Sequence, residues 1–325
     1  MPRSPQNKDE GRDKPQGKKS RHPAPDTRHV LITPAVLRAW PLPQPDESSD
    51  KDERGKVLVV GGAPEMPGAI ILAATAALRA GAGKLCVCAG RSIAQLVAAA
   101  VPEARVVSLP ETKEGGIAAS AASKVVENAE GAQAILIGPG MIDERAITRL
   151  IKSILPRIER ATLILDAGAL AFLSTHPDGL HTLKGRVVVT PHAGEMASMR
   201  GIDKLEVTSE PGRRAREAAH DLRAVVALKG GETFIAAPDD KNYSNRAGNV
   251  GLATSGSGDT LSGIIAGLAA RGAEPLQAAI WGVYLHACAG DRLAKRMGRL
   301  GFLARELLAE IPQLMSGLDG RKKRS

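Results

Sequence analysis

From Lys56 onward the chain alternates between two patterns: runs of consecutive apolar residues, and longer stretches in which apolar residues return every three or four positions. The runs at 57–60, 84–88, 134–137, 162–165, 186–189, 224–228 and 233–236 are built mainly from Val, Ile, Leu and Ala with little polar alternation, which marks strands covered on both faces. Stretches at 68–80, 147–155, 209–220, 259–270 and 276–296 have helical spacing, and Gly81 and Gly83 stop the first of them. Strand followed by helix, repeated, predicts an α/β fold: a central, mostly parallel β-sheet with helices on both faces, in three layers. Ahead of this body a short helix at 34–40 leads into a polar loop at 41–55. The expected organisation is a disordered basic tail over 1–29, one domain over 30–314 and a basic C-terminal tail over 315–325.

In such a sheet ligands gather where strands end and helices begin. Six small-residue strings fall at those points: GGAPEMPGA from Gly61, GPG from Gly138, DAGAL from Asp166, TPHAGE from Thr190, KGGET from Lys229, and GSGD from Gly256. The first lacks the G-x-G-x-x-G spacing of dinucleotide-binding folds, and no G-x-x-x-x-G-K-[ST] phosphate loop occurs. The last is the most informative. Gly256, Ser257 and Gly258 leave almost no side chain between backbone and ligand, and a helix starting there aims bare N–H groups and its positive dipole end at one spot. Asp259 then stands in the first helical turn, either as a cap on a helix that binds nothing or as a working carboxylate. The small residues Gly248, Gly251, Ala253 and Ser255 upstream exceed what a cap requires.

The formal charge of +9 suggests a polyanion partner until it is located. Residues 1–29 carry +4 and residues 316–325 carry +3, which leaves +2 for the body, so no specific nucleic-acid partner is expected. With three Phe, two Tyr and two Trp, the chain also lacks stacking platforms for single strands. Cys86, Cys88 and Cys288 fit no metal spacing; the first two alternate on a strand as small core residues, consistent with a reducing, cytoplasmic setting. No run of eighteen apolar residues and no h-region behind the basic N-terminus is present, so neither a membrane span nor a secretory signal is expected.

Read together, the strings resemble the ribokinase-like superfamily and, within it, the ADP- or ATP-dependent NAD(P)H-hydrate dehydratases, over roughly residues 30–313. KVLVVGG followed by PGA and ALRAGAG is similar to that family's opening strand and helix. IGPG, TPHAGE, LKGGET and GNVGLATSGSGDTLSGIIAGL follow in the family's order, and WGVYLHACAGD and LLAEIP resemble its last helices. The GSGD turn alone marks the superfamily; the TPHAGE and KGGET context narrows it. The epimerase domain sometimes fused ahead of this module is not expected, because the tail before Val30 is too short.

The resemblance implies repair of a damaged cofactor: NADHX or NADPHX, hydrated at C6 of the nicotinamide ring, loses water at the expense of ADP or ATP. It implies Asp259 as the base that takes the hydroxyl proton, and the N–H groups of Gly256, Ser257 and Gly258 as the anion hole. Lys229, Gly230, Gly231, Glu232, Thr233 and Gly258 match nucleotide-binding positions; Gly68, Ala69, Gly140, His192 and Asp259 match substrate-binding ones. Mg²⁺ is expected between the phosphates, with Glu195 orienting its waters. A homo-oligomer is implied as well. Each residue has a plainer reading: Lys229 as a strand-end lysine in water, His192 as a partner of backbone, Glu195 as a helix-start acid, Tyr284 and His286 as core, Asp291 and Arg292 as surface. Where the family usually reads D-A-D-A-L-N, this chain has Gly168 and Ala171 in place of the second Asp and the Asn. Two other readings therefore stand beside the first: a small-molecule kinase acting on a vitamin precursor or sugar hydroxyl, and a silent nucleotide-sensing protein.

Overall fold

The structure, a computed structural model, describes residues 29–318 apart from Glu47, Ser49 and Asp52. Most of the two expected tails, 1–28 and 319–325, thus lies outside the described residues. The strands are β1 (Val30–Leu31), β2 (Lys56–Gly61), β3 (Lys84–Gly90), β4 (Arg105–Leu109), β5 (Ala134–Ile137), β6 (Thr162–Leu165), β7 (Val187–Val189), β8 (Val225–Leu228), β9 (Thr233–Ala236) and β10 (Asn242–Asn245). They form one sheet in the order β1-β10-β9-β8-β7-β6-β5-β2-β3-β4. Only β9 runs against its neighbours, so the mostly parallel sheet expected from the pattern is what forms.

The helices are α1 (Pro34–Ala39), α2 (Pro67–Arg79), α3 (Ala94–Ala100), α4 (Ala122–Ala129), α5 (Glu144–Ile154), α6 (Ala171–Thr175), α7 (Ala193–Arg200), α8 (Lys204–Ser209), α9 (Pro211–Leu222), α10 (Ser257–Ala270), α11 (Pro275–Met297) and α12 (Ala304–Leu318). Because side chains alternate across a strand, each β-strand feeds two cores. Val57 and Val59 pack under α2, α10, α11 and α12; Leu58 and Val60 face the layer of α4, α5 and α9. Cys86 and Cys88, two residues apart, point to the second core and are buried, as their spacing predicts.

The sequence pattern missed β1, β4, β10, α3, α4, α6, α7, α8 and α12. β10 reads Asn-Tyr-Ser-Asn and owes its extended form to pairing with β9 and β1, a contact invisible to local hydropathy. The helix expected at 209–220 forms as α9, starting at Pro211 and running to Leu222, while Ser209 ends the separate helix α8. Residues 315–318 also depart from the expected tail: they complete α12, and Met315 and Leu318 are buried. Among the described residues no helix is long and apolar enough to cross a membrane.

Two close approaches set the functional edge. On α10, a Cβ at Gly263 would lie 2.2 Å from the Ala73 carbonyl oxygen and one at Gly267 2.3 Å from that of Ala77, so glycine lets α10 press against α2. Toward the β4 edge, β2 is flanked by β3 on one side and β5 on the other, and the strand order reverses there. Gly138 N–H donates to Val60 O at 3.1 Å and Gly62 N–H to Pro139 O at 2.7 Å, which joins the two loops at that switch point.

Candidate active site

Gly256 adopts φ +84° and turns the chain into α10 without a capping side chain; of the three expected anion-hole donors, the Ser257 N–H is instead engaged by Thr254 O at 3.2 Å, a tight turn that closes just before the helix. Asp259 sits in that turn, half-buried. Two more carboxylates approach from neighbouring strand ends, Asp166 after β6 and Glu195 in the first turn of α7. Between them stands Lys229 at the end of β8: its Nζ lies 3.0 Å from Asp166 Oδ1 and 3.7 Å from Glu195 Oε2. A Cβ on Gly258 would lie 3.4 Å from the same Nζ, so the ammonium is next to the Gly-rich turn. Asp166 is 1% exposed and also accepts from Thr190 Oγ1 at 2.7 Å.

These neighbours tune ionisation. Burial pushes the Asp259 carboxyl up to about 6, reinforced by the Asp166 charge and partly offset by Lys229 and backbone N–H groups. Burial alone would lower Lys229, but Asp166, Glu195 and Asp259 outweigh it and hold the ammonium above its usual range. The result is a fixed cation beside a carboxylate that is ionised at neutral pH yet basic enough to take a proton.

The other expected residues fall into two groups. Lys229, Gly230, Gly231 and Glu232 make the turn between β8 and β9, and Thr233 opens β9. Glu232 Oε1 accepts from Arg246 Nε at 3.0 Å, which ties this turn to the loop leading toward Gly256. In the other group, Gly68 and Ala69 follow Pro67 at the start of α2, and Gly140, at φ +69°, is pressed against them: a Cβ there would lie 3.0 Å from that of Ala69. Gly256 meets α2 at Leu72, which places the Gly-rich turn against the helix that carries Gly68 and Ala69.

His192 and Glu195 show the plainer roles as well. His192 Nδ1 accepts from the Gly194 and Glu195 N–H groups at 3.0 and 3.1 Å, and Glu195 Oε2 accepts from His192 N–H at 2.7 Å, a reciprocal cap on α7. The ring's Nε2 lies 3.7 Å from Glu195 Oε1, and the side chain is 59% exposed. Beside this cap lies a pocket of about 220 Å³ whose lining includes Glu144, Gly168, Ala171 and Glu195. A larger groove of about 980 Å³ runs past Gln133, Arg157 and Thr162 at the amino ends of β5 and β6, on the sheet edge opposite Asp259, and takes no part in this site. Gly168 is required by the backbone: a Cβ there would come 2.2 Å from Met141 O, and Ala167 before it takes φ +47°.

Four participants escaped the sequence reading. Asp166 and Thr190 were inside singled-out strings but had no assigned role, since their pairing spans two strand ends. His286, read as core, is buried and also bonds Ser257 Oγ through Nε2 at 2.9 Å; burial lowers it to about 4 and keeps it neutral. Asp291, read as surface, accepts from the Gly248 N–H. Among the described residues no group of three or more His, Cys, Asp or Glu side chains is placed to hold a metal ion directly, and Lys229 stands between the two nearest carboxylates. A metal carried in by phosphates and reached through water from Glu195 fits this arrangement; an all-protein site does not.

Comparison with known proteins follows the same outline. The family model described as NAD(P)H-hydrate dehydratase matches residues 57–313. An ADP-dependent (S)-NAD(P)H-hydrate dehydratase of Xanthomonas campestris pv. campestris is 46% identical over 288 residues, covering 88% of this chain and 96% of that one. A ribokinase-like superfamily protein of Enterococcus faecalis superposes with TM-score 0.78 at 28% identity, over 89% of this chain and 96% of its own. The ADP/ATP-dependent NAD(P)H-hydrate dehydratase of Bacillus subtilis, co-crystallised with ATP/Mg²⁺, gives TM-score 0.73 at 30% identity over 89% and 99%.

Proposed function

The chain belongs to the NAD(P)H-hydrate dehydratase family, and we propose that the crevice between α2 and the 256–259 turn carries out its reaction. The enzyme is an ADP-dependent (S)-NAD(P)H-hydrate dehydratase: it returns hydrated NADH or NADPH to the reduced cofactor. The kinase alternative is set aside, because full-length relatives at 33–46% identity are dehydratases. The observation that carries the site assignment is Asp259, raised to about 6 in the first turn after the glycine turn, with the half-buried Lys229 ammonium against Gly258.

Hydroxide is a poor leaving group and phosphate a good one. In this reading the C6 hydroxyl gives its proton to Asp259 as its oxygen attacks the terminal phosphorus of ADP; the O–P bond forms, AMP leaves, and the ring carries a phosphate ester. Loss of the ring proton with departure of phosphate then restores the double bond. The N–H groups of Gly256 and Gly258 and the ammonium of Lys229 stabilise charge on the transferring oxygens, while the Ser257 N–H, bonded to Thr254 O, shapes the turn. The 229–233 turn holds the nucleotide; Gly68, Ala69, Gly140 and His192 hold the hydrated cofactor. Mg²⁺, when bound with ADP, supplies positive charge to the phosphates, and Glu195 is the carboxylate suited to orient its waters. A homo-oligomer and a cytoplasmic setting belong to the same reading.

The direct test follows absorbance of the reduced nicotinamide on adding ADP and Mg²⁺ to the protein with hydrated NADH, with products resolved by mass. Recovery of NADH with AMP and free phosphate supports the reading; a stable phosphorylated product, or no recovery, overturns it.

A further inference from the structure

We propose that Asp291 is a positioning residue of the nucleotide site: from α11 it grips the loop between β10 and α10, so that the Gly256 and Gly258 N–H groups are set before ADP arrives. This rests on the assignment of that turn to the nucleotide phosphates.

The grip is bidentate. Asp291 Oδ2 accepts from the Gly248 N–H at 2.9 Å, and Oδ1 accepts from Asn249 Nδ2 at 3.0 Å. Asn249 passes the restraint on, its Oδ1 accepting from the Gly251 N–H at 3.0 Å. Gly251 is itself pressed by Phe302, to which a Cβ would come within 2.4 Å. Gly248 takes φ +104°, a conformation open to glycine, and this brings its N–H to the carboxylate.

The loop has two functional ends. At one, Arg246 pairs with Glu232 of the 229–233 turn; at the other, Gly256 begins the anion turn. Between them the chain runs through a short 3₁₀ turn, Val250–Leu252, whose own hydrogen bonds are few. The loop's own backbone bonds are local, Leu252 N–H to Asn249 O, Ala253 N–H to Val250 O and Ser257 N–H to Thr254 O, and its Gly256 end rests on Leu72 and Ala304, so the 248–251 end needs a restraint of its own for the whole loop to keep one course. Asp291 supplies that restraint from a 23-residue helix packed along the sheet. Arg292, the next residue on α11, pairs with Glu310 instead, at 3.6 Å, so the neighbouring cation is engaged on α12.

A link that merely joins α11 to the loop would affect stability alone; a positioning residue must act on ADP selectively. The test uses the full chain with Asp291→Ala and Asp291→Asn, measuring ADP binding by calorimetry, KM for ADP and for hydrated NADH, and the thermal midpoint. Hydrogen bonds to a charged group predict that Asp291→Ala weakens ADP binding by about tenfold or more while KM for hydrated NADH stays within about twofold. Asp291→Asn, which keeps one acceptor, falls between it and wild type. An Asp291→Ala protein that binds ADP as wild type does, or that loses affinity for both substrates equally, overturns the proposal. Should Asp291→Ala not fold, Asn249→Ala removes one of the two donors and carries the same comparison. The calorimetry needs no turnover: a wild-type protein that binds ADP but fails to regenerate NADH refutes the dehydratase reading and leaves the role of Asp291 to be judged by its own arm.

Discussion

Lys229 Nζ lies 3.0 Å from Asp166 Oδ1, joining the end of β8 to that of β6 beneath the Gly-rich turn. Neither group is present in the other's sequence neighbourhood, and Asp166 is almost wholly buried. Removing the cation leaves a carboxylate in the interior that keeps the Thr190 Oγ1 hydroxyl as a donor. Lys229→Met is therefore expected to destabilise the protein by about 3–5 kcal/mol in urea unfolding, and Asp166→Asn added to it to recover a large part of that loss. Simple additivity of the two changes would count against the pairing as drawn.

Asp259→Asn should separate chemistry from folding. Turnover falls by about 10²–10⁴-fold if the carboxylate takes the hydroxyl proton, while ADP binding persists. Because the folded-state value near 6 lies above the ordinary carboxylate value, the charged form is disfavoured by folding. Its contribution to stability is fully present at low pH and is lost as pH rises through about 6. At neutral pH the neutral amide is accordingly expected to be more stable than wild type by about 1–3 kcal/mol, visible as a raised thermal midpoint. A lowered midpoint would contradict the buried-charge account.

The pH dependence of turnover follows from the same residue. A base must be ionised, so kcat/KM rises with pH and levels off above about 6. Asp166→Asn removes the second-largest cause of that raised value, and the acidic limb should move to lower pH. A limb that stays in place assigns it to another group.

Metal removal should act on catalysis and leave folding alone. Among the described residues no cluster is placed to bind a metal directly, so chelation is expected to abolish ADP-dependent turnover without shifting the thermal midpoint of the nucleotide-free protein. A drop in that midpoint would reveal a structural metal.

Gly263→Val tests the approach of α10 to α2. The Cβ alone would stand 2.2 Å from Ala73 O and 2.7 Å from the Ala76 Cβ, so the helices must separate. A destabilisation of about 1–3 kcal/mol or more is expected by thermal or urea unfolding, with KM for both substrates raised because Gly256 and Leu72 move with them.

The sequence by itself determined the sheet-and-helix alternation, the buried strands, the Gly-rich turns at their carboxyl ends and Asp259 at the head of α10. Those features are local: apolar runs, helical spacing and glycine where backbone must bend or face a ligand. Tertiary structure alone decided which strand ends meet. The β2–β5 switch point brings Gly140 to Ala69, the order β8-β7-β6 places Lys229 against Asp166 and Glu195, and β10 exists because β9 and β1 pair with it. The packing of α11 set His286 against Ser257 and Asp291 against Gly248, though a helix pattern reads the first as core and the second as surface. A side chain's partner across tens or hundreds of residues depends on strand order and helix approach, and neither is written in the hydropathy of a single segment.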